Sequence, residues 1–422
     1  MPNTLLDLSV FSGPIPLIVY SAAGALAVVL LVRHYRPRMA ATVVVAAAVG
    51  AALGWVLAWL VGDVWDVFGV SFSLVTRGWV VAFAAGTGIA IAALTHTHRW
   101  RRVCAITAIP IFLLAAATGI NADFGQYPTV RTVLGIPMFG ALDTSPRVVT
   151  DASAPKLTAG RVGTVTIPAT VSGFAARQAV VYLPPAALVA HPATLPVIEM
   201  LAGQPGSPQD AFVAGHLAST LDAYANAHGG LAPIVVVPDQ LGTPDNNPMC
   251  VDSALGNSAT YLAVDVPNWI RSTFSVDSSP TGWAIAGFSQ GGTCSIQLGA
   301  AHPDVYGTVL DVSGELAPHL GSIDNTIKKG FAGSASAYAA SAPSAILAAH
   351  APYADLTVFV AVGGDDVRFG PFAQQIADAA EAAGADTHRI VSPGTAHDWH
   401  TVRYAWEQAL PLIAARSGLG TS

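Results

Sequence analysis

The sequence predicts two structural units. The first is an N-terminal four-helix transmembrane bundle. The second is an α/β domain with a mostly parallel central sheet and flanking helices. Three observations predict this. Apolar residues crowd the first third in uncharged blocks. From Gly160 onward, short β-rich runs alternate with helical stretches. Between one such run and one such helix sits Gly287-Phe288-Ser289-Gln290-Gly291, a pentapeptide whose spacing suits a sharp strand-to-helix turn.

The four blocks span 14–32, 39–61, 78–94 and 103–120. Each is near the roughly 17–25 residues needed to cross a bilayer. Mean hydropathy is +0.52 and 11% of the 422 residues are charged, against about 25% in soluble domains. A cleavable signal peptide fits poorly, because no basic flank precedes the first block and three more follow it. Arg33, Arg36 and Arg38 separate blocks one and two; Arg99, Arg101 and Arg102 separate blocks three and four. Asp7, Asp63 and Asp66 lie at the other ends, with Arg77 near them. The positive-inside rule puts the arginine loops in the cytoplasm, so the N-terminus and everything after about Ile120 face outward from the cytoplasmic membrane. Gly50 and Gly54 form a small-xxx-small pair suited to close helix packing. The expected division is residues 1–120 as the transmembrane domain, 121–159 as a linker and 160–422 as the α/β domain.

In the outer part the expected strands are Val162–Ile167, Ala179–Leu183, Pro196–Leu201, Pro233–Pro238, Gly282–Ala286, Gly307–Val312, Leu356–Val362 and His388–Val391. The helices singled out are Ala211–Ala227, Ala259–Phe274, Cys294–His302 and Phe372–Ala383. Apolar strands alternating with helices argue a parallel sheet. Net charge is −7 and no basic run lies outside the loops, so nucleic-acid binding is not expected. Cys104 falls in block four. Cys250 and Cys294 both fall in the outer part, where an oxidising compartment favours a disulfide between them over two buried thiols.

The pentapeptide reads as a nucleophile elbow presenting Ser289 at a helix N-terminus, where backbone N–H groups favour negative charge. A serine hydroxyl needs a base, and the base needs an orienting acid. On the α/β-hydrolase plan these follow in the order Ser, acid, His, each on a loop after a strand. The strand ending at Val362 runs into Gly363-Gly364-Asp365-Asp366, making Asp366 the expected acid and Asp365 the alternative. The strand ending at Val391 runs into a loop carrying His397, the expected base; His400 lies nearer the following helix. The oxyanion donors are expected from the backbone N–H of Gln290 and, in the loop after the third strand, of Gln204, since Pro205 has none. No cofactor is expected. No metal-ligand spacing appears, and the His96/His98 pair reads as a solvated turn.

From about Val162 to Ala415 the chain resembles the esterase family that includes esterase D-like enzymes and the mycobacterial secreted mycolyltransferases. The resemblance is carried by Gly203-Gln204-Pro205-Gly206, Met249-Cys250-Val251-Asp252-Ser253, Gly287-Phe288-Ser289-Gln290-Gly291-Gly292, Asp311-Val312-Ser313-Gly314 and Gly394-Thr395-Ala396-His397-Asp398-Trp399. It implies an α/β-hydrolase fold and a triad at Ser289, Asp366 and His397. The four-helix part looks like that of actinobacterial membrane-anchored members. The mycolyltransferases carry a charged, sugar-contacting stretch where this chain has Gln204-Pro205-Gly206-Ser207-Pro208, so ester hydrolysis is expected ahead of acyl transfer to a sugar. The expected function is therefore a membrane-anchored serine esterase or acyltransferase acting on acyl-ester or lipid substrates through an acyl-enzyme. The competing reading is a non-catalytic envelope protein whose hydrolase domain binds lipid or a partner; covalent labelling by a fluorophosphonate separates the two.

Overall fold

The computed structural model describes residues 5–32, 37–95, 98–144, 158–244 and 246–419. Arg33, Arg36, His96 and most of the latter part of the expected linker lie outside them. The chain forms two compact units, Met1–Pro137 and Met138–Ser422.

The first unit holds four helices long and apolar enough to cross a membrane: α1 (Pro14–Leu31), α2 (Pro37–Trp59), α3 (Leu74–Ala93) and α4 (Arg99–Phe124). A π-helical turn, Leu60–Val64, extends α2. Helices α3 and α4 each begin four residues before their apolar blocks. Ser73 caps α3 by accepting from the Thr76 N–H, so Leu74 to Arg77 are helical although Arg77 is charged. In α4 the arginines themselves form the first turn. Arg101 donates to the Val29 and Val32 carbonyls and so caps the C-terminal end of α1. Gly50 and Gly54 pack against α3: a Cβ at Gly50 would lie 2.4 Å from the Ala84 carbonyl oxygen. At the opposite end, Asp63 pairs with Arg77 at 2.7 Å. The segment before α1 pairs with the segment after α4 through the Val130 N–H to Leu8 C=O and Val10 N–H to Pro128 C=O bonds, which sets both on one end of the bundle.

The second unit is built on an eight-stranded sheet: β1 (Arg161–Val165), β2 (Ala179–Leu183), β3 (Val197–Leu201), β4 (Ile234–Val237), β5 (Trp283–Phe288), β6 (Thr308–Val312), β7 (Thr357–Gly363) and β8 (Asp386–Ser392). Their order is β1-β2-β4-β3-β5-β6-β7-β8. β2 runs antiparallel to both β1 and β4; every other pairing is parallel. β2 to β7 are buried along their whole length, as a sheet covered on both faces requires. β8 is an edge strand and accordingly mixed, with exposed Asp386, His388 and Arg389. Helices beside the sheet include α5 (Leu217–Ala227), α6 (Gln290–Ala301), α7 (Phe369–Ala382) and α8 (Trp399–Ala414), and the expected helix Ala259–Phe274 is present as consecutive helical segments from Ser258 to Thr273. One core cluster gathers Ile198, Met200, Val235, Ala286, Leu310 and Phe359 from the sheet with Leu217, Leu221, Trp399 and Trp406 from α5 and α8.

Three local expectations need correction. The expected helix Ala211–Ala227 is two helices, because His216 adopts a left-handed backbone (φ 54°) after Gly215. The helix after the elbow starts at Gln290 rather than Cys294. Glycine has poor helix propensity, yet Gly291 and Gly292 are helical because tertiary packing overrides it. Three short helices, Ile323–Gly330, Ala335–Ala340 and Pro343–His350, fill the connection between β6 and β7. None was among those singled out, since each is too short to show a clear period.

Candidate active site

The parallel strands bring the expected residues to one edge of the sheet, just past the C-terminal ends of β3, β5, β7 and β8. That edge is where ligands bind in open α/β sheets. Ser289 stands between β5 and α6 with φ 58° and ψ −119°, a conformation that costs a non-glycine residue of order 1–3 kcal/mol. Surrounding bonds hold it there: its N–H donates to the Val312 carbonyl at 2.8 Å and its carbonyl accepts from Thr293 at 3.0 Å. Glycine is required on both sides of this turn. A Cβ on Gly287 would lie 1.9 Å from the Gly291 carbonyl oxygen, and one on Gly291 would lie 2.3 Å from that of Leu201.

His397 Nε2 lies 2.9 Å from Ser289 Oγ. On the other side of the ring, Nδ1 is 3.4 Å from Asp366 Oδ2. Both side chains are buried, 7% and 3% exposed, so little water competes for the contact. The imidazole lies between the rings of Phe288 and Phe369, with centroids 5.0 and 4.1 Å away. Phe369 also holds the acid, its N–H donating to Asp366 Oδ1 at 2.9 Å. The His397 loop is pinned by its neighbour: Asp398 accepts from the Ala396 N–H through one oxygen and caps α8 at Thr401 through the other.

The structure thus brings Ser289, His397 and Asp366 together and leaves Asp365 out. Asp365 is exposed, and its N–H donates to the Thr395 carbonyl. His400 lies in the first turn of α8. Gln290 is the first residue of α6, with its backbone N–H among the orphan donors of that helix end. Gln204 follows Gly203, whose Cβ position would be 3.6 Å from Ser289 Cβ. The loop after β3 therefore passes directly beside the serine. Cys250 and Cys294 form a disulfide, Cα atoms 5.6 Å apart, one helical turn beyond Gln290. Cys104 is free. Among the described residues no group of His, Cys, Asp and Glu could hold a metal ion.

Sequence reasoning missed Arg177 and Gln240, which bond to the loop after β3, Gln240 also to Gln290, and Asp239, which holds Arg177. Off the triad, burial also acts on the carboxyl groups of Glu199 and Asp311. Burial pushes Glu199, on β3, up to about 8, partly opposed by the Tyr306 hydroxyl that donates to it at 2.8 Å. Burial likewise pushes Asp311, on β6, up to about 7.

The family model described as "Putative esterase" matches residues 175–416. The chain belongs to this esterase family. Membership supports a hydrolase of carboxylic esters. An uncharacterized protein of Corynebacterium glutamicum is 30% identical over 356 residues, covering 81% of this chain and 83% of that protein. That span is longer than the whole second unit, so the likeness continues into the apolar helices. Among solved structures, a ferulic acid esterase superposes with a TM-score of 0.52 at 19% identity, covering 62% of this chain and all of the other. An S-formylglutathione hydrolase from Agrobacterium tumefaciens gives a TM-score of 0.50 at 18% identity, covering 63% and 99%. At such identities these two speak to the fold, which is that of an α/β-hydrolase.

Proposed function

We propose that this protein is a membrane-anchored serine esterase that cleaves, or transfers, the acyl group of ester substrates at the outer face of the cytoplasmic membrane. The observation that carries the reading is the 2.9 Å contact between His397 Nε2 and Ser289 Oγ on the elbow. In the first half-reaction Nε2 takes the hydroxyl proton as Oγ bonds to the substrate carbonyl carbon. The tetrahedral oxyanion is held by the backbone N–H groups of Gln290 and Gln204. Collapse breaks the ester C–O bond, and the imidazolium returns its proton to the departing alkoxide. In the second half, His397 takes a proton from water or an acceptor alcohol as its oxygen attacks the acyl-enzyme; the acyl C–Oγ bond then breaks and the imidazolium returns the proton to Ser289 Oγ. Asp366 keeps the ring oriented and offsets the charge of the imidazolium.

The arginines between the first and second helices and between the third and fourth support the outward placement of the second unit. The placement of the hydrolase after four apolar helices supports substrates met at the membrane surface. The test is labelling of the detergent-solubilised full chain with a fluorophosphonate, beside turnover of a short-chain aryl ester. Wild type should be labelled and active, and Ser289→Ala neither. A Ser289→Ala variant that keeps wild-type turnover ends the proposal.

A further inference from the structure

Resting on that reading, we infer that Asp239 and Gln240, adjacent at the end of β4, are positioning residues that set the geometry of both oxyanion donors. Gln240 is buried and its side-chain amide makes two bonds. Nε2 donates to the Ala202 carbonyl at 2.5 Å, at the start of the loop that carries Gln204, and to Gln290 Oε1 at 3.1 Å. One side chain therefore ties the loop after β3 to the residue after the nucleophile. The other side of Gln290 is tied as well: its Nε2 donates to Asn247 Oδ1 at 3.1 Å and contacts Cys294 Sγ at 3.2 Å.

Asp239 grips the far end of the same loop through Arg177. The Asp239 carboxylate, fully buried, takes Arg177 Nη2 at 2.7 Å and Nε at 3.0 Å. It also accepts from the backbone N–H groups of Arg177, Leu241 and Gly242. So oriented, Arg177 Nη2 donates to the Gly206 carbonyl at 3.0 Å. The two residues thus hold the loop at Ala202 and at Gly206, with Gly203 and Gln204 between the grips. A donor N–H works only if its position is set before charge develops, and a displacement of about 1 Å can cost about 100-fold in rate. Gln240 and Asp239 are both buried, beneath the surface that an ester would meet. Their effect falls on the transition state, where the oxyanion exists, and hardly on binding of the uncharged ground state.

The test compares wild type, Gln240→Leu, Arg177→Lys and Ser289→Ala, each as the full chain in detergent. An aryl butyrate serves as substrate and a phenylboronic acid as the probe of the tetrahedral oxyanion. Gln240→Leu should lower kcat by roughly 10- to 100-fold with KM within about threefold. The boronic acid inhibition constant should rise by the same factor as kcat falls. Arg177→Lys keeps the charge beside Asp239 but loses the fork to Gly206, and should show the same parallel at a smaller size. It also keeps the test open should Gln240→Leu not fold. Folded variants with unchanged kcat and boronate affinity, beside an inactive Ser289→Ala, overturn the clamp alone. An active Ser289→Ala overturns instead the esterase reading beneath it.

Discussion

Removing the Cys250–Cys294 disulfide should destabilise the second unit without touching the catalytic side chains. The bond closes a loop with a sequence separation of 44. Chain-closure entropy for that length is about 13 cal/mol/K, or about 4 kcal/mol at 25 °C. One effect works against it. Met249 and Cys250 have φ of 61° and 51°, a left-handed turn that costs of order 1 kcal/mol per residue, and relief of that cost in the variant sets the lower bound of the loss. The net loss expected for Cys250→Ala with Cys294→Ala is therefore about 2–4 kcal/mol. With a urea slope of about 3 kcal/mol/M, the midpoint should fall by roughly 0.7–1.3 M. Native-state hydrogen exchange of the full chain in detergent is the suitable assay, because it reads the sheet amides of the second unit separately from the helices of the first. Oxidised wild type, reduced wild type and the double variant should be measured together, and the last two should coincide. A loss below about 1 kcal/mol in the sheet amides would refute the reasoning, for the crosslink would then not be restricting the unfolded chain.

Other outcomes follow from the site. Ser289→Ala and His397→Ala should each abolish aryl-ester turnover with the fold intact, and the double variant should be no worse, since the pair acts as a unit. Asp366→Asn should lose about 10³- to 10⁴-fold in kcat while Asp365→Asn stays near wild type; the reverse ranking in steady-state kinetics would move the acid to Asp365. Gly287→Ala should fail to build the elbow, because its Cβ would sit 1.9 Å from a backbone oxygen; soluble, fully active variant protein would contradict this. Glu199 keeps its proton in the folded state up to about 8, whereas an unfolded glutamate loses it near 4.5. The unfolded state thus binds fewer protons across that window, and stability should fall as pH rises from about 4.5 to 8, then level off. Glu199→Gln should make that part of the profile shallower, leaving the share of Asp311, which burial raises to about 7; urea midpoints at pH 5 and 8.5 check it, and an equally steep fall in the variant would exclude Glu199 as a source. A reporter fused after Ser422 should read as extracytoplasmic, and a cytoplasmic signal would reverse the proposed orientation.

The features legible in the sequence are those written in short-range pattern. Four apolar blocks have the length of a bilayer crossing whatever surrounds them, and the structure makes each a helix. The strands of the second unit are apolar because both faces of the sheet are covered, so their places could be read along the chain. The elbow is legible because its glycines answer a local demand: no Cβ fits at Gly287 or Gly291. Tertiary structure decided what local pattern ranks without separating. Asp365 and Asp366 share chemistry and neighbourhood, and only the turn, with the Asp366 N–H on the Gly363 carbonyl, sends one carboxylate toward His397 and its neighbour to solvent. Helix α6 could start at Gln290 because Gly291 packs on the end of β3 and Gly292 on the end of β6, two glycines that propensity alone would leave out of a helix. The grips on the loop after β3 were not legible at all. Arg177 reaches Asp239 across 62 residues and Gly206 across 29, and Gln240 reaches Gln290 across 50. Such pairs leave no periodicity in the chain, since they meet only once the sheet has set the ends of its strands side by side, β2 antiparallel to β4 and β3 parallel to β5.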